Sequence, residues 1–162
     1  MKDDFRIPSL GPCLFDSPLD RAVFVDAHAG VLVDATARSC RQCEGEPDTL
    51  EQAGPRRKIF FDPRRTSAAI VTCGGLCPGL NDVIRGLTMV LWYRYGVRHV
   101  LGIKDGYAGL VVGPGSKPVH LTPEVVEDIH QDGGTILRTS RGSQDVSTMV
   151  DFLEKNRIDI LF

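Results

Sequence analysis

The chain has 162 residues, the size of one ordinary domain. Hydrophobic residues make up 42% and charged residues 25%, which supplies material for one core. A net charge of -2 gives no general pull toward nucleic acid or an acidic membrane, and no run approaches the roughly 20 apolar residues of a membrane helix.

The opening MKDDFRIPSLGP lacks the basic flank and apolar centre of a signal peptide, so a cytoplasmic location is expected. Five cysteines, an odd number with uneven spacing, argue against a disulfide framework. Cys40 and Cys43 form a lone C-x-x-C, either a metal or redox pair or two reduced thiols in a polar loop. Residues 22–35 alternate in a way that fits two short strands with Ala29-Gly30 at the turn. Thr36 to Lys58, rich in charge, Gly and Pro, reads as a loop or weak helix. The first 58 residues therefore look like an extension, and residues 59–162 like the principal domain.

From Ile59 the pattern changes. AAIVTC at 68–73 suits a strand buried on both faces. A tight GGLCPG loop follows, then a helix from Asn81 to Tyr95 with Val83, Ile84, Leu87, Val90 and Leu91 on its inner face and Gly96 at its end. RHVLGI at 98–103 reads as a second buried strand and KDGYAGL as a loop. In LTPEVVEDIH, Thr122 can cap a helix that begins at Pro123. GGTIL at 133–137 reads as a turn into a short strand. Asp145 can cap a helix whose inner face is Met149, Val150 and Leu153, and IDILF is a last buried strand. This alternation predicts an α/β fold, a Rossmann-like, mostly parallel sheet flanked by helices. The sheet is expected to be incomplete, because the chain stops on a strand where a functional loop would begin.

Three places could carry chemistry. The strand–GGLCPGLN–helix junction lets Gly74, Gly75 and Gly79 bring backbone close to a ligand at a helix N-terminus. It fits a phosphate cradle or a purely structural turn, and it is neither a Walker A loop nor G-x-G-x-x-G. Arg141, in TSRG, offers forked donors suited to phosphate, or is a solvated surface cation. Tyr107, in DGYAGL, offers a ring face or a hydroxyl, or packs at the rim of the core. The four histidines are scattered, and no spacing singles out a catalytic triad or a carboxylate pair.

The runs FFDPRRTSAAIVTCGGLCPGLNDVIRGL, VLGIKDGYAGL and LTPEVVEDIHQDGGTILRTSRGSQDVSTMVDFLEKNRIDILF together resemble the 6-phosphofructokinases, in particular the long ATP-dependent type of plants and trypanosomatids. The resemblance runs from Ile59 to Phe162, and residues 1–58 are more loosely similar to the extension of the long enzymes. It implies a domain that binds ATP and Mg2+, with Gly75, Tyr107, Arg141 and Gly142 at the nucleotide. It also implies fructose 6-phosphate as partner, a role in glycolysis and a homo-oligomeric complete enzyme. The family's GGDGT-type magnesium loop and its T-x-D-x-D aspartate base would follow beyond Phe162, so the resemblance implies no catalytic base and no metal ligand in these residues and an inactive fragment. A pyrophosphate-using enzyme and a non-catalytic nucleotide- or subunit-binding paralogue are the alternative readings. The family has glycine where this chain has Arg138, a cation that either crowds the nucleotide and repels Arg141 or adds a phosphate contact.

Overall fold

A computed structural model describes residues 9–20, 23–36, 47–111 and 117–162. The chain forms two compact units, Met1–Phe61 and Asp62–Phe162. Cys40 and Cys43 lie outside the described residues.

Among the described residues, the first unit holds two small antiparallel pairs. β1 (Phe15–Asp16) pairs with β4 (Lys58–Ile59), and β2 (Gly30–Leu32) pairs with β3 (Thr49–Glu51). The expected hairpin over 22–35 is therefore not present among the described residues: β2 takes its partner from the segment read as a loop. The turn falls earlier, where Asp26 accepts from the amides of His28 and Ala29 through its side chain and carbonyl at 2.8 and 3.2 Å. An Asx turn of this kind needs no glycine.

The second unit is an α/β layer structure. Its strands are β5 (Ser67–Val71), β6 (His99–Ile103), β7 (Val119–His120) and β8 (Ile160–Leu161), in sheet order β7-β6-β5-β8. β5 is central. It runs parallel to β6 in register Ser67↔His99 and parallel to β8 in register Ala68↔Ile160, while β7 is antiparallel on the β6 edge. The sheet is thus mixed and mostly parallel.

The period of two along β5 divides the core. Ala68 and Ile70 face one side and pack with Ile84, Leu91, Val100, Leu121 and Leu137. Ala69 faces the other, with Ile103 and Leu110, against Met149, Phe152 and Leu153. Both faces are covered, as the apolar run 68–73 requires. Two alanines at the centre let helices approach the sheet closely.

Helix α1 (Leu80–Met89) continues into a π-helical segment, Val90–Tyr95, which Gly96 ends at φ 76. Ile84 and Leu91 are buried, but Val83 and Val90, expected on the inner face, are exposed. Short α2 (Ala108–Val111) follows β6. Thr122 caps α3 (Pro123–Val126) as expected, accepting from the Val125 amide, yet the helix yields after one turn to a 3-10 turn at Ile129–Gln131. Asp145 caps α4 (Val146–Lys155). On α4, Phe152 replaces Val150 in the packed face, and Val150 is exposed.

GGTIL is not a strand. Its amide donors are already engaged: Ile136 N–H donates to Asn81 Oδ1 at 2.9 Å, Leu137 N–H to Thr135 Oγ1 at 3.1 Å, and Arg138 N–H to the Thr135 carbonyl at 3.1 Å. With the Ile136 and Leu137 amides engaged in this way, the segment joins no ladder.

Two expectations follow from this packing. A Cβ on Gly109 would collide with the Lys104 carbonyl oxygen, and backbone cannot swing aside. Gly109→Ala should therefore lose about 1–3 kcal/mol or more, read as a lower urea midpoint; an unchanged midpoint would show that the α2 turn tolerates a side chain. Hydrogen bonds from the side chain and then the backbone of Thr148 hold the Asp145 carboxyl below the usual carboxylate range. Because the folded pKa is depressed, the cap contributes fully above the unfolded value of about 3.9 and is lost as pH falls through the lower folded value. The Thr148 amide resonance should titrate with a midpoint below that of free aspartate, and Asp145→Asn should abolish the titration.

Candidate functional site

The chain leaves β5 toward β6 on one side and returns to β8 on the other. This makes the carboxyl end of β5 a topological switch point, where open α/β sheets place ligands. Three loops meet there: 72–80 after β5, 104–108 after β6, and 135–142.

Their closeness is enforced by specific bonds. Gly74 N–H donates to the Ser140 carbonyl at 3.0 Å, and Thr139 Oγ1–H donates to the Gly74 carbonyl at 2.9 Å. Thr72 Oγ1–H donates to the Arg138 carbonyl at 2.6 Å. The Asp105 amide donates to the Leu137 carbonyl at 2.8 Å, and the Ala108 amide to Ser140 Oγ at 3.3 Å. Gly106 has φ 60, and a Cβ there would lie 2.6 Å from Ser140 Oγ and 2.7 Å from its amide nitrogen. Only glycine permits that approach.

Asn81 anchors the assembly. Its side chain is buried, donating from Nδ2 to the Asp132 carbonyl at 3.0 Å and accepting the Ile136 amide. The start of α1 is thereby tied to the 132–136 turn. Gly79 precedes α1 at φ 88 and makes no side-chain cap, so the first-turn amides remain available to an anion. Arg141 reaches the loop ahead of α1: a Cβ placed on Gly75 would sit 3.5 Å from Arg141 Nη2. Gly75 and Arg141 are thus neighbours, although 66 positions apart in the chain. Arg141 makes no ion pair among the described residues. Gly142, at φ 97, turns the chain away after it. Tyr107 lies on the middle loop with its residue 42% exposed, compatible with packing at the rim of the core or with reaching a ligand. Burial pushes the Cys73 thiol up, against a hydrogen bond from the Tyr107 backbone that pulls it down. The balance keeps Cys73 protonated at neutral pH.

Arg138 is held elsewhere. Its Nε and Nη2 meet Asp105 Oδ1 and Oδ2, both at 3.0 Å, in a forked pair that closes the second loop on the third. Both residues adopt left-handed backbone, Asp105 at φ 63 and Arg138 at φ 59. That conformation explains why glycine would be natural at 138. Thr72, Asn81, Asp105 and Thr139 were not singled out from the sequence. Their signal was weak: each is a polar residue flanking a glycine or arginine motif, with its partner far along the chain. Among the described residues, no cluster of three or more His, Cys, Asp or Glu is placed to hold a metal ion.

The architecture defines an α/β domain with a glycine-rich loop cluster at its switch point. The phosphofructokinase family model matches residues 67–162. The chain is 44% identical to the ATP-dependent 6-phosphofructokinase of Amycolatopsis methanolica, covering 99% of this chain and 37% of that protein. It is 46% identical to that of Entamoeba histolytica, covering 97% and 35%, and 50% identical to ATP-dependent 6-phosphofructokinase 2 of Arabidopsis thaliana, covering 65% and 23%. The Pichia pastoris phosphofructokinase in its T-state superposes with a TM-score of 0.53 at 27% identity, over 72% of this chain and 13% of that one. This chain belongs to the phosphofructokinase family, and it spans 37% of the length of the Amycolatopsis relative.

The Arg138 geometry sets two opposing effects. Its exposed ion pair contributes about 0–1 kcal/mol, and its left-handed backbone costs about 1–2 kcal/mol. Arg138→Gly should then leave the thermal midpoint nearly unchanged or raise it, while Arg138→Ala, which keeps the strain and loses the pair, should lower it. Equal midpoints for the two variants would exclude this balance.

Proposed function

We propose that this chain forms the nucleotide-phosphate part of an ATP-dependent 6-phosphofructokinase, with residues 1–58 as an extension to a nucleotide-binding domain of residues 59–162. The observation that carries this reading is the approach of Arg141 to Gly75 in the glycine-rich loop between β5 and α1. A glycine there would let the backbone come close to phosphate oxygens, and the neighbouring guanidinium would stabilise charge developing on a transferring phosphoryl group. Tyr107 and Gly142 would border the same nucleotide. The relatives' name, ATP-dependent 6-phosphofructokinase, points to ATP as donor and fructose 6-phosphate as acceptor.

In the proposed reaction the sugar 1-hydroxyl oxygen bonds to the terminal phosphorus. The bond from that phosphorus to the bridging oxygen breaks, and ADP leaves with that oxygen. The hydroxyl proton passes to an aspartate that this reading places outside residues 1–162. Magnesium bound with the nucleotide would supply neutralisation of phosphate charge. The residues present contribute positioning and charge stabilisation. The working enzyme would be a homo-oligomer of glycolysis acting in the cytoplasm. No helix among the described residues is long and apolar enough to cross a membrane.

Calorimetric titration of MgATP into the chain tests the reading. Arg141→Ala removes charge-assisted bonds worth about 1.5–3 kcal/mol, so affinity should fall roughly 10- to 100-fold. The unaltered chain should consume no ATP in the presence of fructose 6-phosphate. Equal affinity in the variant would remove Arg141 from the site, and turnover would place a base within these residues.

A further inference from the structure

The opposite end of the same strands carries a group of arginines. A cavity of about 400 Å3 opens at the amino ends of β5 and β6, lined by Arg64, Arg65, Ser67, His99, Arg157 and Asp159 among others. It lies wholly within the second unit. The length of β5 separates it from the Gly75 loop by about 15 Å, at roughly 3.3 Å per residue.

The three arginines have no side-chain partner among the described residues, in contrast to Arg56 and Arg138, which are ion-paired. Local bonds fix the backbone that carries them. Asp62 accepts from the Arg64 amide through Oδ1 at 3.1 Å, and its carbonyl accepts from the Arg65 amide at 3.0 Å and from Thr66 Oγ1 at 2.6 Å. The Ser67 amide donates to Asp159 Oδ2 at 2.8 Å, which occupies one oxygen of the pocket's carboxylate. Ser67 Oγ bonds His99 Nδ1 at 2.6 Å, leaving Nε2 for a ligand. Three arginines therefore line a cavity whose one carboxylate is already engaged by the Ser67 amide.

Arg157 is the telling residue. It stands just past α4 at φ 53, with its amide bonded to the Glu154 carbonyl at 3.0 Å and the Ile158 amide bonded to Leu153 at 2.9 Å. This is the helix-ending position that glycine fills by default. An arginine there keeps a cation at the pocket at the expense of backbone strain, and observed strain of this kind points to function.

We propose that this cavity is a second anion site, distinct from the nucleotide site, which binds a compact ligand bearing phosphate groups. Forked guanidinium donors suit phosphate oxygens, and the volume is ample for a small phosphorylated molecule. The site does not depend on the kinase reading.

Inorganic pyrophosphate serves as the probe, titrated into the isotopically labelled full chain and followed by amide resonances. Saturable shifts are expected at Arg64, His99 and Arg157, and they should persist in Arg141→Ala. Arg157→Gly removes a cation and relieves the strain, so it should fold with an equal or higher thermal midpoint while pyrophosphate affinity at this site falls at least tenfold. Arg64→Gln with Arg65→Gln, both exposed, should weaken binding similarly without unfolding the chain. Shifts confined to residues 74–80 and 139–142, or affinity unchanged in both variants, would overturn the proposal.

Discussion

The buried amide of Asn81 is the constraint on which the loop cluster depends. It sits at the first turn of α1, yet both its partners belong to the turn at 132–136. A buried amide without partners would be costly, so the two segments are obliged to meet. Once they meet, Thr72 and Thr139 can reach across between the β5 loop and the third loop. Arg141 then falls beside Gly75. The position of the cation is thus a result of neutral hydrogen bonds set well behind it.

The sheet supports this arrangement from below. β5 is covered on both faces and paired along both edges, with small alanines where helices press on it. Its carboxyl end therefore has few ways to move. Loops grafted on such an end can hold ligand groups in fixed geometry while their tips stay exposed.

Much of this was legible in the residues. The runs AAIVTC and RHVLGI announced β5 and β6, because a doubly buried strand must be continuously apolar. Gly74, Gly75, Gly79 and Arg141 stood out as glycines and a cation in loops, and the structure brings Gly75 and Arg141 together. The failures have equally physical causes. GGTIL looked like a strand because side-chain competition for its amides, by Asn81 and Thr135, leaves no trace in hydrophobic pattern. β7 is two residues long and shows no period. Val83 and Val90 kept helical spacing but face outward, since apolar residues also occur singly on surfaces. The bonds that lace the site join residues 65, 55 and 33 positions apart, separations no local reading can pair.

The two neighbours of β5 differ greatly in when they become available. Ser67 meets His99 across 32 positions, whereas it meets Asp159 across 92. As the chain leaves the ribosome, β6 can dock once α1 has formed, with a modest loop-closure cost. The other edge of β5 must then wait, its amides and carbonyls unpaired, until β8 has been synthesised. During that interval the strand at the heart of the domain is an open edge, and any extended segment of similar apolar character competes for the place reserved for β8.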